Sequence, residues 1–172
     1  MKTYAKQPMK KEISALNTFW FIDYINEHYT EVDFDHVIDQ MNEAQGHPYY
    51  IENLATGKTE KVSVAHLKNS HYWLSNDFVM FFYEKLQKRI PDPALAYKVG
   101  KTVYRSQPLL KTAIGIPLMG PYRLLKRGPK EVKKFNRTKE MVIDTLEKGH
   151  VVFRLIQNKN TYLNAFTMNC DR

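Results

Sequence analysis

The six histidines are the side chains best suited to metal binding or acid–base chemistry, and their spacing predicts neither. They are dispersed along the chain as His28, His36, His47, His66, His71 and His150. His66 and His71 are five residues apart, whereas two ligands on one helix face need a separation of three or four. A metal site built from distant positions stays open. An enzyme would likewise have to assemble its site from dispersed groups such as His71, Asp77 and His150.

The cysteine and the glycines carry no catalytic motif either. The single cysteine, Cys170, excludes an intrachain disulfide and any multi-cysteine zinc or iron–sulfur site. Gly100, Gly115 and Gly120 match neither the P-loop spacing nor the dinucleotide-binding spacing. We therefore expect a protein that is not an enzyme and has no catalytic or metal-binding residue. Ligation of a haem by one histidine, which leaves no spacing signature, stays open.

Positive charge is concentrated in the middle of the chain. The formal net charge is +8, but residues 1–84 hold 7 Lys and Arg against 12 Asp and Glu, residues 85–139 hold 15 against 2, and residues 140–172 hold 4 against 4. The densest part is a basic patch of seven side chains: Arg123, Lys126, Arg127, Lys130, Lys133, Lys134 and Arg137. Such a patch fits the phosphates of a nucleic acid, an anionic membrane surface, or a solvated face docked on acidic elements.

Aromatic side chains cluster next to this block and predict a ligand pocket. Small-molecule pockets are mostly apolar with a few polar groups. We expect the pocket to be lined by Trp73, Phe82, Tyr97 and Tyr104, with Lys98 or Lys101 pairing with a ligand carboxylate. The cofactor is unknown, and a hydrophobic small molecule is one candidate. A plain aromatic core is the alternative, because aromatic stripes at helical spacing usually pack.

The apolar periodicity predicts four helices in the first two thirds of the chain. The spacings favour helices over 13–28, 34–42, 75–90 and 94–106. Asp33 can cap the second helix, and Ser75, Asn76 or Asp77 can cap the third. Residues 64–71 are predicted to form a connection.

Turn signals predict two hairpins and a bent segment. Strands over 49–54 and 59–64 flank the first turn, and strands over 141–146 and 151–157 flank the second. A third strand over 162–168 would complete a C-terminal meander. Glycines and prolines within 107–127 predict a break and then a short helix over 122–126, and Gly128 and Pro129 predict the start of a loop. The order of elements favours an α+β fold, an antiparallel sheet of hairpin and meander packed with several helices.

Length and composition limit the class of protein. The chain has 172 residues, of which 43% are hydrophobic and 26% are charged, as in globular proteins. We expect a basic N-terminal tail over 1–12 and one α+β sensory domain over 13–172. The chain ends just after a predicted strand, so we expect either a continuation or completion of the sheet by a second copy. The N-terminus lacks the apolar segment of a signal peptide, and no long apolar run occurs, which predicts a cytoplasmic protein.

Three segments resemble a bacterial signalling domain. They are His71–Phe78, Ala96–Gly100 and Leu110–Pro121, and the run Lys134–Lys139 before a hairpin fits the same pattern. Over residues 49–157 the sequence resembles the N-terminal input domains that precede cyclase, histidine-kinase or diguanylate-cyclase outputs. Those domains are similar to haem-NO-binding-associated and 4-vinyl-reductase-like sensor domains.

The resemblance implies a small-molecule-sensing domain that regulates an attached or partner signalling output. Such domains often form dimers, so a homodimer is expected, and the resemblance brings no catalytic residues. The sequence departs from the pattern at its end, because no output domain follows Arg172 and the usual further cysteine-containing helix and strand are missing after Cys170. Binding of nucleic acid or an anionic membrane through residues 123–139 is the alternative function.

Overall fold

Helices and short antiparallel strand pairs make up the computed structural model, which describes residues 6–29, 32–106 and 116–157. The helices are α1 Leu16–His28, α2 Phe34–Gln45, α3 Val64–Leu67, α4 Asn76–Arg89, α5 Leu95–Ser106 and α6 Ile116–Lys133. The strands are β1 Ile13–Ser14, β2 Tyr50–Glu52, β3 Thr59–Lys61, β4 Trp73–Leu74, β5 Lys139–Glu147 and β6 His150–Gln157. The predicted α+β class is confirmed.

The first helix begins later than its periodicity predicts. Ile13 and Ser14 form β1, which pairs antiparallel with β4. The Ser14 backbone N–H donates to the Phe135 carbonyl at 2.9 Å. These partners are 59 to 121 residues away in sequence, so local periodicity could not reveal them. The helix itself buries Ile22 and Ile25 completely.

Side-chain caps fix the starts of α2 and α4 as predicted. The Asp33 Oδ1 accepts a hydrogen bond from the His36 backbone N–H at 3.0 Å, and the Ser75 Oγ accepts one from the Phe78 N–H at 3.3 Å. Each cap pairs a backbone donor that the first helical turn leaves without a partner. Helix α2 runs to Gln45 because Gly46 adopts a φ of 78°, which ends the helix.

The core lies among α1, α2, α4 and the start of α5. Helix α4 places Phe78, Phe82 and Leu86 on one fully buried stripe. The ring of Phe82 stacks on Phe78 at 6.2 Å between centroids and tilts against Phe34 of α2 at 6.4 Å. This stripe therefore ties α4 to α2.

The first hairpin is shorter than predicted, and a helical turn follows it. Strands β2 and β3 pair over three residues each, and Gly57 takes the positive φ of 67° that the turn requires. The predicted connection over 64–71 contains α3. That short helix forms because Ser63 and His66 make a reciprocal capping box.

Helix α6 differs most from the prediction. The sequence predicted a short helix over 122–126 and a loop from Gly128 and Pro129, but α6 runs without interruption to Lys133. A proline removes one backbone hydrogen bond, yet its fixed φ is helical, so the bonds of the neighbouring residues can carry the helix past it. The predicted bend over 107–115 lies outside the described residues.

The second hairpin is confirmed and is longer than predicted. Strands β5 and β6 pair antiparallel from Lys139 opposite Gln157 to Glu147 opposite His150, with one irregularity between Ile143 and Thr145. Gly149 takes a φ of 82° in the turn. Strand β6 exposes three large apolar side chains: Val152, Leu155 and Ile156. The predicted third strand over 162–168 lies outside the described residues.

Two segments tie α6 and its hairpin to the rest of the fold. The Arg137 backbone N–H donates to the Glu12 carbonyl at 2.8 Å, and Asn136 forms an isolated antiparallel β-bridge with Ile13.

The predicted N-terminal tail also contacts the fold. The Met9 backbone N–H donates to the Tyr50 carbonyl at 2.8 Å. Across the described ranges, no helix combines the length and apolar character needed to span a bilayer.

Candidate functional site: the basic face of helix α6

Helix α6 and the residue after it align six cations on one side. We call these side chains the basic face: Arg123, Lys126, Arg127, Lys130, Lys133 and Lys134. Their separations of three and four residues, at 100° per residue, place them within about 120° of the helix circumference. All six are exposed. At a rise of 1.5 Å per residue the basic face is about 16 Å long.

The opposite side of α6 packs on the second hairpin. A β-carbon at Gly128 would lie 3.6 Å from Met141 Sδ and 3.9 Å from Phe153 Cε1, so the helix backbone sits directly on β5 and β6. Leu125 and Val132 on the same side are partly buried. The hairpin therefore fixes which side of α6 faces solvent, and that side carries the cations.

Few acidic groups neutralise the basic face. Lys133 pairs with Glu140 and Lys134 pairs with Glu131, each at 2.8 Å. All four side chains are at least one-third exposed, and exposed ion pairs of this kind contribute at most about 1 kcal/mol. Among the described residues, Arg123 and Lys130 have no ion-pair partner. A polyanion that binds Lys133 and Lys134 would therefore displace only weak contacts there.

Arg137 lies three residues beyond the basic face and is held against Trp73. Its Cζ is 3.8 Å from the centroid of a Trp73 ring, and its Nη1 donates to the Lys11 carbonyl at 3.2 Å. We call this contact the Arg137–Trp73 pair. It joins a predicted pocket residue to a predicted basic-patch residue. Sequence reasoning placed both side chains in candidate sites but could not place them together, because they are 64 residues apart.

The other predicted pocket residues have separate partners. Phe82 is fully buried in the core, where it contacts Phe34 and Phe78. Tyr97 is 53% exposed, with the Lys101 Nζ 5.0 Å from its ring centroid. The side chain of Tyr104 lies outside the described part of the structure. No contact in the described ranges joins Trp73, Phe82 and Tyr97 into one site.

Lys98, predicted to bind a ligand carboxylate, pairs with a carboxylate of its own chain. Its Nζ donates to Asp92 Oδ2 at 2.6 Å, and Tyr29 Oη donates to the same oxygen at 2.8 Å. The hydrogen bonds from Lys98 and Tyr29, with a third from the Ala94 N–H, lower the pKa of Asp92 to about 2. The hydrogen bond to Asp92 in turn raises the pKa of Tyr29. This network anchors the start of α5 to the end of α1.

Ser63, His66 and Glu60 form the arrangement nearest to a catalytic triad. His66 Nε2 lies 2.7 Å from Glu60 Oε1, and His66 Nδ1 lies 2.9 Å from Ser63 Oγ. However, Nδ1 also accepts the Ser63 backbone N–H at 3.0 Å. The lone pair that a general base would need is therefore used in capping α3. Hydrogen bonds from Asn53 and His66 lower the pKa of Glu60 and keep it an acceptor.

The described residues form no metal site. In those ranges, no three His, Cys, Asp or Glu side chains are grouped closely enough to hold a metal ion. Comparison with protein-family models, curated proteins and solved structures found no match. The sensory-domain identity expected from the resemblance therefore stays a prediction.

Proposed function

We propose that this protein binds nucleic acid through phosphate contacts on the basic face. One observation supports the proposal above the others: six exposed cations share one side of α6 while the hairpin covers the other side. Lysine and arginine side chains that neutralise phosphates release condensed counterions, which drives binding without base readout. The ion pairs of Lys133 and Lys134 are exposed and weak, so they hold back little of the charge of those two lysines.

The packing of α6 favours nucleic acid over a membrane surface. A helix that lies on a bilayer buries its apolar face among the lipid headgroups and acyl chains. In this protein that side of α6 faces Met141 and Phe153. Between Arg123 and Lys134, every exposed side chain that the structure describes is a cation, so this stretch offers charge to a partner.

Charge reversal on the basic face is the test. Lys130→Glu, Lys133→Glu and Lys134→Glu together should abolish binding of a fluorescein-labelled 20-nucleotide DNA in fluorescence anisotropy. Lys58→Glu, Lys61→Glu and Lys68→Glu together form the matched control. Those lysines are equally exposed and change the net charge equally, but they lie far from α6 in sequence, so the control should bind as the native protein does.

Salt dependence gives a second, independent measurement. With about six phosphate contacts, the native affinity should fall by about a thousandfold between 50 and 200 mM salt for a duplex, and somewhat less for a single strand. Circular dichroism of each variant checks the fold. Equal loss in the two triple variants would overturn the proposal, as would native binding to phosphatidylserine vesicles with no binding to DNA.

A further inference from the structure

We propose that the basic face binds single-stranded nucleic acid, with bases stacking on Tyr122 at one end and on the Arg137–Trp73 pair at the other. This inference rests on the proposed function and names the form of nucleic acid. Bases of a single strand have free faces that can stack on aromatic rings and on guanidinium planes, whereas bases inside a duplex already stack on each other.

Tyr122 borders the basic face and is available to a base. Its side chain is 50% exposed, and the Lys126 Nζ lies 4.7 Å from its ring centroid. Tyr122 is only about 40° from Lys126 around the helix axis, so a phosphate held by Lys126 would place its own nucleotide near the ring. An exposed tyrosine with an adjacent cation combines a stacking surface with a phosphate contact.

The Arg137–Trp73 pair offers a second stacking surface that is already ordered. The Trp73 ring and the Lys11 carbonyl both hold the Arg137 guanidinium, and the side chain is exposed. A guanidinium fixed in this way loses little conformational freedom when a base stacks on it or a phosphate binds it. Its planar fork suits both partners.

The length of α6 along the basic face suits a short strand. Tyr122 and Lys134 are 12 residues apart along the helix, which is about 18 Å at 1.5 Å per residue. That length corresponds to about five nucleotides at the stacked rise of about 3.4 Å per nucleotide. The cations of the basic face lie between Tyr122 and Arg137 in sequence and would contact the phosphates of the strand.

The experiment compares a 12-nucleotide single strand with the blunt duplex of the same sequence. We expect tighter binding of the single strand, and Tyr122→Ala should weaken it about tenfold while affecting the duplex little. Tyr122→Phe should restore the affinity, because the ring is retained. Arg137→Ala should weaken single-strand binding by a similar factor.

Tyr97→Ala is the matched control. Tyr97 is 53% exposed and carries a lysine four residues later, Lys101, over its ring, as Tyr122 does. It lies on α5, outside the basic face, so its loss should leave single-strand affinity unchanged.

Fluorescence reports directly on the second surface. In a Trp20→Phe background Trp73 is the only tryptophan, and the single strand should quench its emission. Equal affinity for both forms of DNA, with no effect of Tyr122→Ala and no change in Trp73 emission, would overturn this inference and leave the proposed function standing. Failure of both forms to bind would overturn the proposed function as well.

Discussion

Asp92 shows how one carboxylate organises the ionisable side chains around it. It accepts hydrogen bonds from Lys98, which lies in α5, and from Tyr29, which follows the end of α1. Both hydrogen bonds favour the ionised carboxylate, so protonation of Asp92 is coupled to the stability of the fold. Lys98 thereby pairs with a carboxylate of its own chain, and its predicted contact with a ligand carboxylate stays a prediction.

Acid should therefore weaken the fold through Asp92. Its pKa in the folded chain is about 2, below the usual 3.8. A group with a lowered folded pKa stabilises the fold above its unfolded pKa, and that contribution is lost as the pH falls from about 4 to about 2. Urea unfolding of the native chain should show this loss, and Asp92→Asn should remove that part of the pH dependence.

The exposed Asp39 provides the control for this prediction. Asp39→Asn changes one carboxylate on the outer side of α2 and should leave the acid dependence as it is in the native chain. A native curve that matches the Asp92→Asn curve between pH 5 and pH 2 would contradict the assigned role.

Alanine substitutions at Phe82 and Tyr97 should differ in their effect on stability, because Phe82 is a core residue and Tyr97 is a surface residue. Phe82 is fully buried and Tyr97 is half exposed. Phe82→Ala leaves a cavity and should lower the free energy of unfolding by about 3–5 kcal/mol. Tyr97→Ala should change it by less than about 0.5 kcal/mol. Chemical denaturation measures both, and similar losses in the two variants would contradict the core assignment of Phe82.

Helices and hairpins could be predicted where the signal is local. The caps at Asp33 and Ser75 lie within three residues of their donors, and Gly57 and Gly149 supply the turns of their hairpins. Strand β1 could not be predicted, because its two residues are held by β4 and by residues near 135. The full length of α6 could not be predicted, because Gly128 and Pro129 favour a turn locally and the sequence does not show that the helix packs on the second hairpin.

Two glycines should respond in opposite directions to alanine. Gly128 lies inside α6, and a β-carbon there would make ordinary contacts with Met141 and Phe153. Gly128→Ala should raise the free energy of unfolding by about 0.5–1 kcal/mol through helix propensity. Gly57 has a φ of 67°, so Gly57→Ala should lower the free energy of unfolding by about 1 kcal/mol or more. Thermal unfolding checks both, and destabilisation by Gly128→Ala would indicate a loop in place of continuous α6.

The molecule combines an acidic N-terminal half with a basic middle segment over residues 85–139. Charge counting locates the basic patch within the sequence, since a count of charges needs no fold. The alignment of six of its cations on one solvent-facing side needed the full length of α6 and the hairpin beneath it. Phe82, Tyr97 and Lys98 contact different neighbours in the described ranges, and the pocket stays a prediction.

Stability should be uneven across the molecule. The core helices α1 and α4 bury large side chains completely, whereas β6 leaves several of its side chains exposed. Segments with fewer buried contacts open at lower free energy. Native-state hydrogen exchange should therefore protect the amides of α4 more strongly than those of β6, and equal protection would show that the hairpin unfolds only together with the core.

The exposed apolar side chains of β6, Val152, Leu155 and Ile156, could drive self-association of the protein if its net charge of +8 were neutralised. Mutual repulsion between like-charged molecules keeps such patches apart in solution. A polyanion that neutralises the charge removes that repulsion. Solutions of the protein should therefore turn cloudy near the oligonucleotide ratio that cancels the charge, and clear again when added salt dissociates the complex.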